Sequence, residues 1–293
     1  LDEVDDWRDP QNWIKANPGL DHVLTIDGLM EEYKKIDIGG TSKEIDFKVK
    51  NLNFEQNSRE AWIDFEAWRK CGEPINDDAL KGRECYAGID LSLTRDITAL
   101  ALFFPRRNEQ ERHILRVFFW MPEENPEIMA QNGIPYADWI EQGWIKATDG
   151  DVIDHDELAA DMLNILKNYK TKRVDIDPFA MLRVALNFSK AGLTLNEVTQ
   201  NVSRLSQPTQ ELERMVIGQE LQHGDNPVLN WMVSNCDVYR DSNDNTRVIK
   251  SEYKKKIDGI AASVNALFGY LQVVSNLKKQ SYIFQKGAKL EVF

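Results

Sequence analysis

The stretch YAGIDLSLTRDITALALFF, from Tyr86 to Phe104, contains two apolar runs separated by a polar turn, and an acidic residue, Asp90, closes the first run. Gly88, Ile89 and Leu91 around this residue are typical of a buried strand. An unpaired charge buried at that point would cost several kcal/mol unless a cation or hydrogen bonds offset it. We therefore interpret Asp90 as a ligand of a metal ion.

The composition predicts a soluble globular protein. The chain has 293 residues, of which 42% are hydrophobic, and this is ample for a core. The longest apolar stretch, residues 259–274, is short and interrupted by polar residues, and nothing resembles a signal peptide, so we expect a cytoplasmic protein with no membrane span. The three cysteines have no paired spacing, which argues against a disulfide framework and against structural zinc.

The charge balance bears on any interaction with nucleic acid. The net charge of −12 repels phosphate, so binding to DNA would have to come from local basic patches and from bound cations. Acidity of the whole chain therefore does not by itself exclude a protein that acts on DNA.

Residues 1–83 differ from the rest of the chain. They begin at Leu1 rather than at a methionine, so we expect a piece of a longer protein, and they contain four of the eight tryptophans. So many large apolar side chains indicate packing rather than disorder. Short helices are predicted near residues 27–35 and 58–69, and the loop at 71–82 is the predicted boundary of a second domain, residues 84–293.

The pattern changes to strands after residue 84. Strands are predicted at 85–91, 97–104, 113–120, 173–177 and 195–199, and helices at 154–169, 179–190, 208–221, 227–235 and 253–273, with a hairpin at 238–250. A meander of three strands, a crossover helix, a strand, a helix and a further strand is the order of the ribonuclease H-like fold. The predicted α/β sheet is mixed, has the strand order 3-2-1-4-5 and is flanked by helices.

This topology would bring two acids together. The first and fourth strands would be parallel neighbours, and α/β sheets place their sites in the crevice beyond the carboxyl ends of such strands. Asp90 ends the first strand and Asp177 ends the fourth. Pro178 favours an extended backbone at Asp177. Both carboxylates are therefore expected to face one crevice.

The last predicted helix supplies a third acid, Asp258, which lies beside the apolar stripe of that helix. Three converging carboxylates repel one another and raise each other's pKa values unless Mg²⁺ or Mn²⁺ lies between them. We therefore predict that Asp90, Asp177 and Asp258 hold two divalent ions. This arrangement is typical of two-metal phosphodiester hydrolysis.

Further residues have both a functional and a structural interpretation. Asp175 competes with Asp177, and its structural role would be a salt bridge to Arg173. Asp96 is a structural residue, or it binds the metal, supports a metal ligand or contacts DNA. His223 marks a helix end, or it contacts the site or DNA. The basic residues near the predicted crevice are candidate phosphate contacts or solvated helix residues; they are Lys250, Lys254, Lys255 and Lys256, with Arg106, Arg107 and Arg112 on a turn.

YAGIDLSLTRDITALALFF, VDIDPFA and KIDGIAA, together with DDWRDPQNWIKANPGL and HGDNPVLNWMVSN, resemble the nuclease domain of the large terminase subunit of tailed bacteriophages. The resemblance implies an endonuclease that cuts concatemeric double-stranded viral DNA during genome packaging, with Asp90, Asp177 and Asp258 at the metal-ligand positions. It also implies that residues 1–83 follow an ATPase domain, and that the small terminase subunit and the portal protein are partners.

One feature of complete terminases is missing from this sequence. No Gly-x-x-x-x-Gly-Lys-Ser/Thr phosphate loop is present, so this chain is expected to cut DNA without hydrolysing ATP. Two alternatives remain open. A Holliday-junction resolvase of the same fold would share the acids, and a catalytically silent module that docks to DNA or to the portal would not need them.

Overall fold

The computed structural model describes residues 6–20, 25–52, 62–92, 96–123, 134–241, 243–252 and 255–287. The chain divides into two compact units, Leu1–Arg59 and Glu60–Phe293. Residues 62–83 pack within the second unit, where Trp62, Trp68 and Leu80 are buried in its cores. That residues 1–83 are a linker behind an ATPase domain stays a prediction.

The described part of the first unit is mainly helical. A short 3₁₀ turn, Pro10–Asn12, leads into α1, Trp13–Ala16, and α2 spans Ile26–Leu52. The predicted helix at 27–35 is thus the start of a longer one. Trp13, Leu29 and Phe47 are among the buried residues of a small core.

The second unit contains the predicted α/β sheet. The elements before the long crossover are α3 Phe65–Arg69, α4 Asp77–Leu80, β1 Glu84–Asp90, β2 Thr98–Phe104, β3 His113–Pro122, α5 Tyr136–Glu141 and β4 Lys146–Thr148. The elements that follow are α6 His155–Leu166, β5 Lys170–Ile176, α7 Pro178–Lys190, β6 Leu195–Glu197, α8 Val202–Ile217, β7 Leu221–Gln222, α9 Pro227–Ser234, β8 Cys236–Arg240, β9 Thr246–Lys250 and α10 Asp258–Gly287.

The strand order is β4-β3-β2-β1-β5-β6, with β7 paired to β3 outside this path. The meander β1-β2-β3 is antiparallel, while β1 with β5 and β5 with β6 are parallel. Since β5 and β6 are the predicted fourth and fifth strands, the predicted order 3-2-1-4-5 is confirmed. The short strands β4 and β7 are additions to β3 that the sequence pattern did not indicate.

Apolar side chains cover both faces of the sheet. Every residue of β2 is buried. Leu100 and Leu102 belong to a core with Met162 of α6 and Val184 of α7, on one face. Alternate residues such as Ala101 belong to a second core on the opposite face, formed with α8, α9 and α10. A strand buried on both faces has a continuous apolar sequence, which explains the run TALALFF.

Helix α10 packs directly on β1. A Cβ atom at Gly88 would lie 2.1 Å from the carbonyl oxygen of Ala262 and 2.2 Å from the amide nitrogen of Ala266, so only glycine fits there. The expected close approach through small residues is therefore observed. The segment Asp258–Leu277 has the length and mean hydropathy, 1.3, of a membrane span, and 50% of it is buried inside the fold, as in the core helix of a globular protein.

Three predicted boundaries were wrong or incomplete. α8 begins at Val202 rather than at Pro208, because the Asn201 side chain accepts a hydrogen bond from the Arg204 amide and starts the helix earlier. α10 begins at Asp258 rather than near residue 253. The helix predicted from residue 58 is observed from Phe65, and residues 53–61 lie outside the described part of the chain.

Candidate metal centre

Asp90 and Asp177 lie at the same end of adjacent parallel strands. The register of β1 and β5 pairs Ile89 with Ile176. Asp90 and Asp177 each follow by one residue, so their backbones lie side by side at the carboxyl edge of the sheet. This is the edge at which α/β sheets carry their sites.

The backbone of Asp177 is fixed by the residues that follow it. Its φ and ψ angles, −60° and 135°, are extended, and Pro178 occupies the first position of α7. The Asp177 Oδ1 atom accepts a hydrogen bond of 2.8 Å from the Phe179 amide and thus caps the helix. Its second carboxylate oxygen makes no such bond to the helix and remains available for another contact.

Asp258 is the first residue of α10 and is 8% exposed. Its Oδ2 atom is buried and has no hydrogen-bond partner among the described residues. A buried carboxylate oxygen without a donor is costly, because the water that it gave up on folding is not replaced. This oxygen is thus suited to a ligand that the protein alone does not supply.

Asp90 interacts electrostatically with the other acids. Burial raises the pKa of Asp90 well above its ordinary value, and the charge of Asp258 raises it further. The charges of Asp177 and Asp96 raise the pKa of Asp90 as well, while Lys250 lowers it. We call Asp90, Asp177 and Asp258 the acidic cluster.

The same effects act on Asp258. Burial and, to a lesser extent, the charge of Asp96 raise the pKa of Asp258, which is about 6. Lys250, the backbone amide of Asp258 and Lys256 lower it in part. The cations near the cluster therefore do not neutralise it fully, and a divalent ion would remove the repulsion that remains.

The donor set fits Mg²⁺ or Mn²⁺, both of which prefer carboxylate oxygens and keep several water ligands. Within the described ranges, no three histidine, cysteine, aspartate or glutamate side chains stand close enough together to hold an ion as they are. The unpartnered oxygen of Asp258 is the observation that favours a metal.

Asp96 lies beside the cluster and is engaged by Lys256, whose Nζ atom is 2.6 Å from Asp96 Oδ2. The Asp96 amide donates to the Ser92 hydroxyl oxygen at 2.8 Å. Lys250 is exposed and close enough to act on the pKa values of Asp90 and Asp258. Lys254, a predicted phosphate contact, lies outside the described residues.

Asp175 and His223 lie in the interior. Asp175 is 0% exposed and forms an ion pair of 2.9 Å with Arg173, which is the structural role that the sequence suggested. His223 is 1% exposed, stacks on Trp68 with ring centroids 4.0 Å apart and contacts the Trp68 carbonyl oxygen at 2.8 Å through Nε2. Its burial favours a packing role.

The arginines that were predicted to contact phosphate are paired with glutamates of the protein. Arg106 lies 3.5 Å from Glu220, Arg107 forms hydrogen bonds to Glu111, and Arg112 lies 3.3 Å from Glu73. Each of these guanidinium groups thus has an acidic neighbour within the protein. The turn that carries them therefore has less free positive charge than its sequence indicates.

Two residues near the cluster were missed by the sequence interpretation. Asn265 donates a hydrogen bond of 3.0 Å to the Ile89 carbonyl oxygen and thereby ties α10 to the end of β1. Tyr136 is 1% exposed, and the charges of Asp96 and Asp258 add to burial in raising its pKa. The sequence did contain a signal for Asn265, because an asparagine within an otherwise apolar helix is unusual. No signal in the sequence indicated the second.

The chain was compared with known proteins. Residues 1–272 match the family described as terminase large subunit, endonuclease domain. Protein YmfN of Escherichia coli strain K12 is 24% identical over 277 residues, covering 91% of this chain and 61% of that protein. The terminase large subunit of Enterobacteria phage HK97 is 27% identical over 260 residues, covering 86% of this chain and 49% of that protein.

A solved structure agrees with these relatives. The crystal structure of the HK97 bacteriophage large terminase superimposes with a TM-score of 0.68 at 25% identity, over 91% of this chain and 55% of that one. The chain therefore spans about half to three fifths of the length of these relatives. From the match over residues 1–272, the chain belongs to the family of terminase large subunit endonuclease domains.

Proposed function

We propose that this chain is a metal-dependent endodeoxyribonuclease that cleaves concatemeric double-stranded viral DNA during genome packaging. The observation that carries the proposal is the geometry of the acidic cluster: Asp90 and Asp177 follow paired residues of adjacent parallel strands, and the buried Oδ2 atom of Asp258 has no hydrogen-bond partner among the described residues. Membership of the endonuclease-domain family supports it independently. The sequence contains no phosphate loop, so cleavage by this chain does not require ATP hydrolysis within it.

Asp90, Asp177 and Asp258 would hold two Mg²⁺ or Mn²⁺ ions. When bound, such ions lower the pKa of an attacking water and stabilise the leaving 3′ oxygen. The role of the protein is to hold the metal-binding carboxylates in position. Asn265 holds the carbonyl of the residue before Asp90, and Phe179 holds one oxygen of Asp177, so the two strand-end acids are fixed before DNA binds.

The surroundings of the cluster suit a phosphate substrate. Lys250 lies near Asp90 and Asp258, and Lys256 pairs with Asp96. The charge of Lys256 is thus offset by Asp96, whereas Lys250 reduces the repulsion between a DNA phosphate and the protein's net charge of −12. The small terminase subunit and the portal protein are the proposed partners, and the host cytoplasm is the proposed location.

Nicking of supercoiled plasmid DNA in Mg²⁺ or Mn²⁺ tests the proposal. We expect Asp90→Asn, Asp177→Asn and Asp258→Asn each to reduce cleavage at least about a hundredfold, because each removes a metal ligand. Asparagine is chosen at position 177 because it can still cap α7. Asp78→Asn is the matched control, since Asp78 is exposed and pairs only with Lys81 among the described residues.

Two results would contradict the mechanism. Cleavage that persists in excess chelator would exclude a metal-dependent reaction, and undiminished cleavage by both strand-end variants would exclude the acidic cluster. Binding of Mn²⁺ is measured in parallel by titration calorimetry, where Asp258→Asn should weaken binding. A preference for four-way junctions over linear duplex would instead favour a resolvase.

A further inference from the structure

Arg247 lies on β9, the second strand of the hairpin that packs against α8, and its side chain is partly buried. Burial lowers the pKa of Arg247, and the charges of Asp177 and Asp90 raise it. Since an arginine side chain remains protonated in proteins, the guanidinium is a permanent positive charge that is close enough to Asp177 and Asp90 to interact with their charges.

A chain of hydrogen bonds fixes this guanidinium relative to β1. Arg247 Nη1 donates to the Gln200 carbonyl oxygen at 2.7 Å, and Gln200 Nε2 donates to Asn265 Oδ1 at 3.2 Å. Asn265 in turn donates to the Ile89 carbonyl oxygen at 3.0 Å. Arg247 is thus connected through two amide groups to the residue that precedes Asp90.

The remaining N–H groups of Arg247 are not engaged by an acid. Among the described residues, no carboxylate lies within 4.0 Å of Arg247. The hydrogen bond to the Gln200 carbonyl oxygen is the one that the Arg247 side chain makes with these residues. Eight other arginines in the described part of this unit differ, because a carboxylate pairs with each of them; these are Arg69, Arg83, Arg106, Arg107, Arg112, Arg116, Arg173 and Arg214. Arg183, Arg204 and Arg240 resemble Arg247 in having no carboxylate within 4.0 Å among the described residues, but Arg247 is the one whose charge interacts with Asp177 and Asp90.

The chemistry of such a group is specific. A guanidinium offers several N–H donors in a planar arrangement that matches the oxygens of a phosphate. The guanidinium of Arg247 is near the carboxylates of the acidic cluster but does not pair with them. A phosphate bound at the cluster would therefore lie between the guanidinium and these acids. A fixed arginine would also need little reorganisation to bind charge that develops on that phosphate.

We propose that Arg247 binds a non-bridging oxygen of the DNA phosphate that is presented to the acidic cluster. This proposal rests on the proposed function for its substrate. It adds a substrate-binding residue on the hairpin to the carboxylates of the sheet and of α10. The contact is made to the phosphate group alone, so it carries no sequence preference.

The experiment compares the full chain with Arg247→Met and Arg247→Gln. The glutamine variant keeps a donor for the Gln200 carbonyl and guards against loss of the fold in the methionine variant. We expect kcat/KM for plasmid nicking in Mn²⁺ to fall about ten- to a hundredfold in both variants, as for loss of a charge-assisted hydrogen bond. Thermal melting verifies that both variants are folded.

Binding gives a second readout that does not depend on cleavage. A labelled duplex is titrated in Mg²⁺ at several salt concentrations with the cleavage-deficient Asp90→Asn protein, with and without each Arg247 change. Loss of one phosphate contact should reduce the slope of log K against log salt by about 1. A residue that only braces Gln200 would change the melting temperature and leave this slope unchanged.

Arg240→Met is the matched control. Arg240 lies on β8 of the same hairpin, is exposed, and influences Glu213 rather than the acidic cluster. We expect its kcat/KM and its salt slope to stay close to those of the wild type. An equal effect of Arg240→Met would show a general charge effect and would overturn the proposal.

The outcomes separate this proposal from the proposed function. Unchanged kcat/KM and unchanged salt slope in folded Arg247 variants would overturn the phosphate contact and leave the nuclease proposal intact. A wild-type protein that does not cleave, but whose salt slope still depends on Arg247, would overturn the nuclease proposal and support the phosphate contact.

Discussion

The carboxylate of Asp258 is buried at the first turn of α10 and leaves Oδ2 without a partner among the described residues. Its own backbone amide, Lys250 and Lys256 favour the charged form, but burial and Asp96 oppose it more strongly. The metal-free protein is therefore destabilised at this residue. Such a cost is common where a group is held ready for a ligand.

At the residue scale we predict that Asp258→Asn stabilises the metal-free protein at pH 7.5 by on the order of 1–3 kcal/mol. Asparagine is nearly isosteric with the acid and carries no charge to repel Asp90 and Asp96. Thermal unfolding in excess chelator measures the change, and the same variant should lose cleavage. A lower melting temperature would mean that the charged form of Asp258 stabilises the fold.

The effect should depend on pH. Because the pKa of Asp258 is raised to about 6 in the folded protein from an ordinary value of 3.8, the folded state binds a proton first as the pH falls. As the pH falls from about 7 to about 4, the wild type therefore gains stability and the advantage of Asp258→Asn decreases. We expect the stability difference to be largest at pH 7.5 and to shrink towards pH 4. A difference that stays constant over this range would contradict the prediction.

At the scale of elements, the contact between β1 and α10 sets the position of two of the three acids. Asp90 ends β1 and Asp258 begins α10, and the two elements meet at Gly88 with backbone atoms close to van der Waals contact. A bulkier residue at position 88 would push the helix away from the strand. The acidic cluster therefore depends on a glycine that carries no chemistry.

We predict that Gly88→Ala destabilises the protein by more than about 3 kcal/mol or prevents folding, because the new methyl group would overlap backbone atoms of α10, which cannot move aside easily. Chemical denaturation and the yield of soluble protein measure the effect. Gly143→Ala is the control. At Gly143 a Cβ would meet nothing within 4 Å, and the φ of 76° alone should cost roughly 1–2 kcal/mol. Similar losses in both variants would contradict the close contact.

At the scale of the whole molecule, residues 62–83 complete the second unit. Trp68 is 0% exposed, its Nε1 atom donates to Asn230 Oδ1 at 2.7 Å, and its ring stacks on His223. Trp62 is buried in the same core. The segment that the sequence placed before the domain boundary thus supplies large side chains to the core on the α10 face of the sheet.

We therefore predict that a fragment of residues 60–293 folds, whereas a fragment of residues 84–293 is less stable by at least about 3–5 kcal/mol or is insoluble. The shorter fragment removes two buried tryptophans, and each loss leaves a large cavity. Circular dichroism and thermal melting of the two fragments measure the difference. Equal melting temperatures would show that the core does not need these residues.

Much of the fold was predictable from the sequence because it follows from local patterns. The alternation and the apolar runs of the first three strands, the Asp154 cap and the strand that ends before Pro178 each depend on neighbouring residues. The order of these elements then restricts the topology to few choices. The candidate acids at Asp90 and Asp177 followed from this order, since each ends a strand.

The remaining features depend on contacts between residues far apart in the chain. Asn265 is separated by 176 positions from Ile89, to whose carbonyl oxygen it donates, and His223 is separated by 155 positions from Trp68, whose carbonyl oxygen its Nε2 atom contacts. No local pattern encodes such pairs. The sequence by itself determined the elements, their order and the strand-end acids, because these depend on periodicity and on residue type. The tertiary structure alone decided the burial of Asp258, the position of Arg247 and the extent of the core, because burial and charge proximity arise only when distant segments pack together.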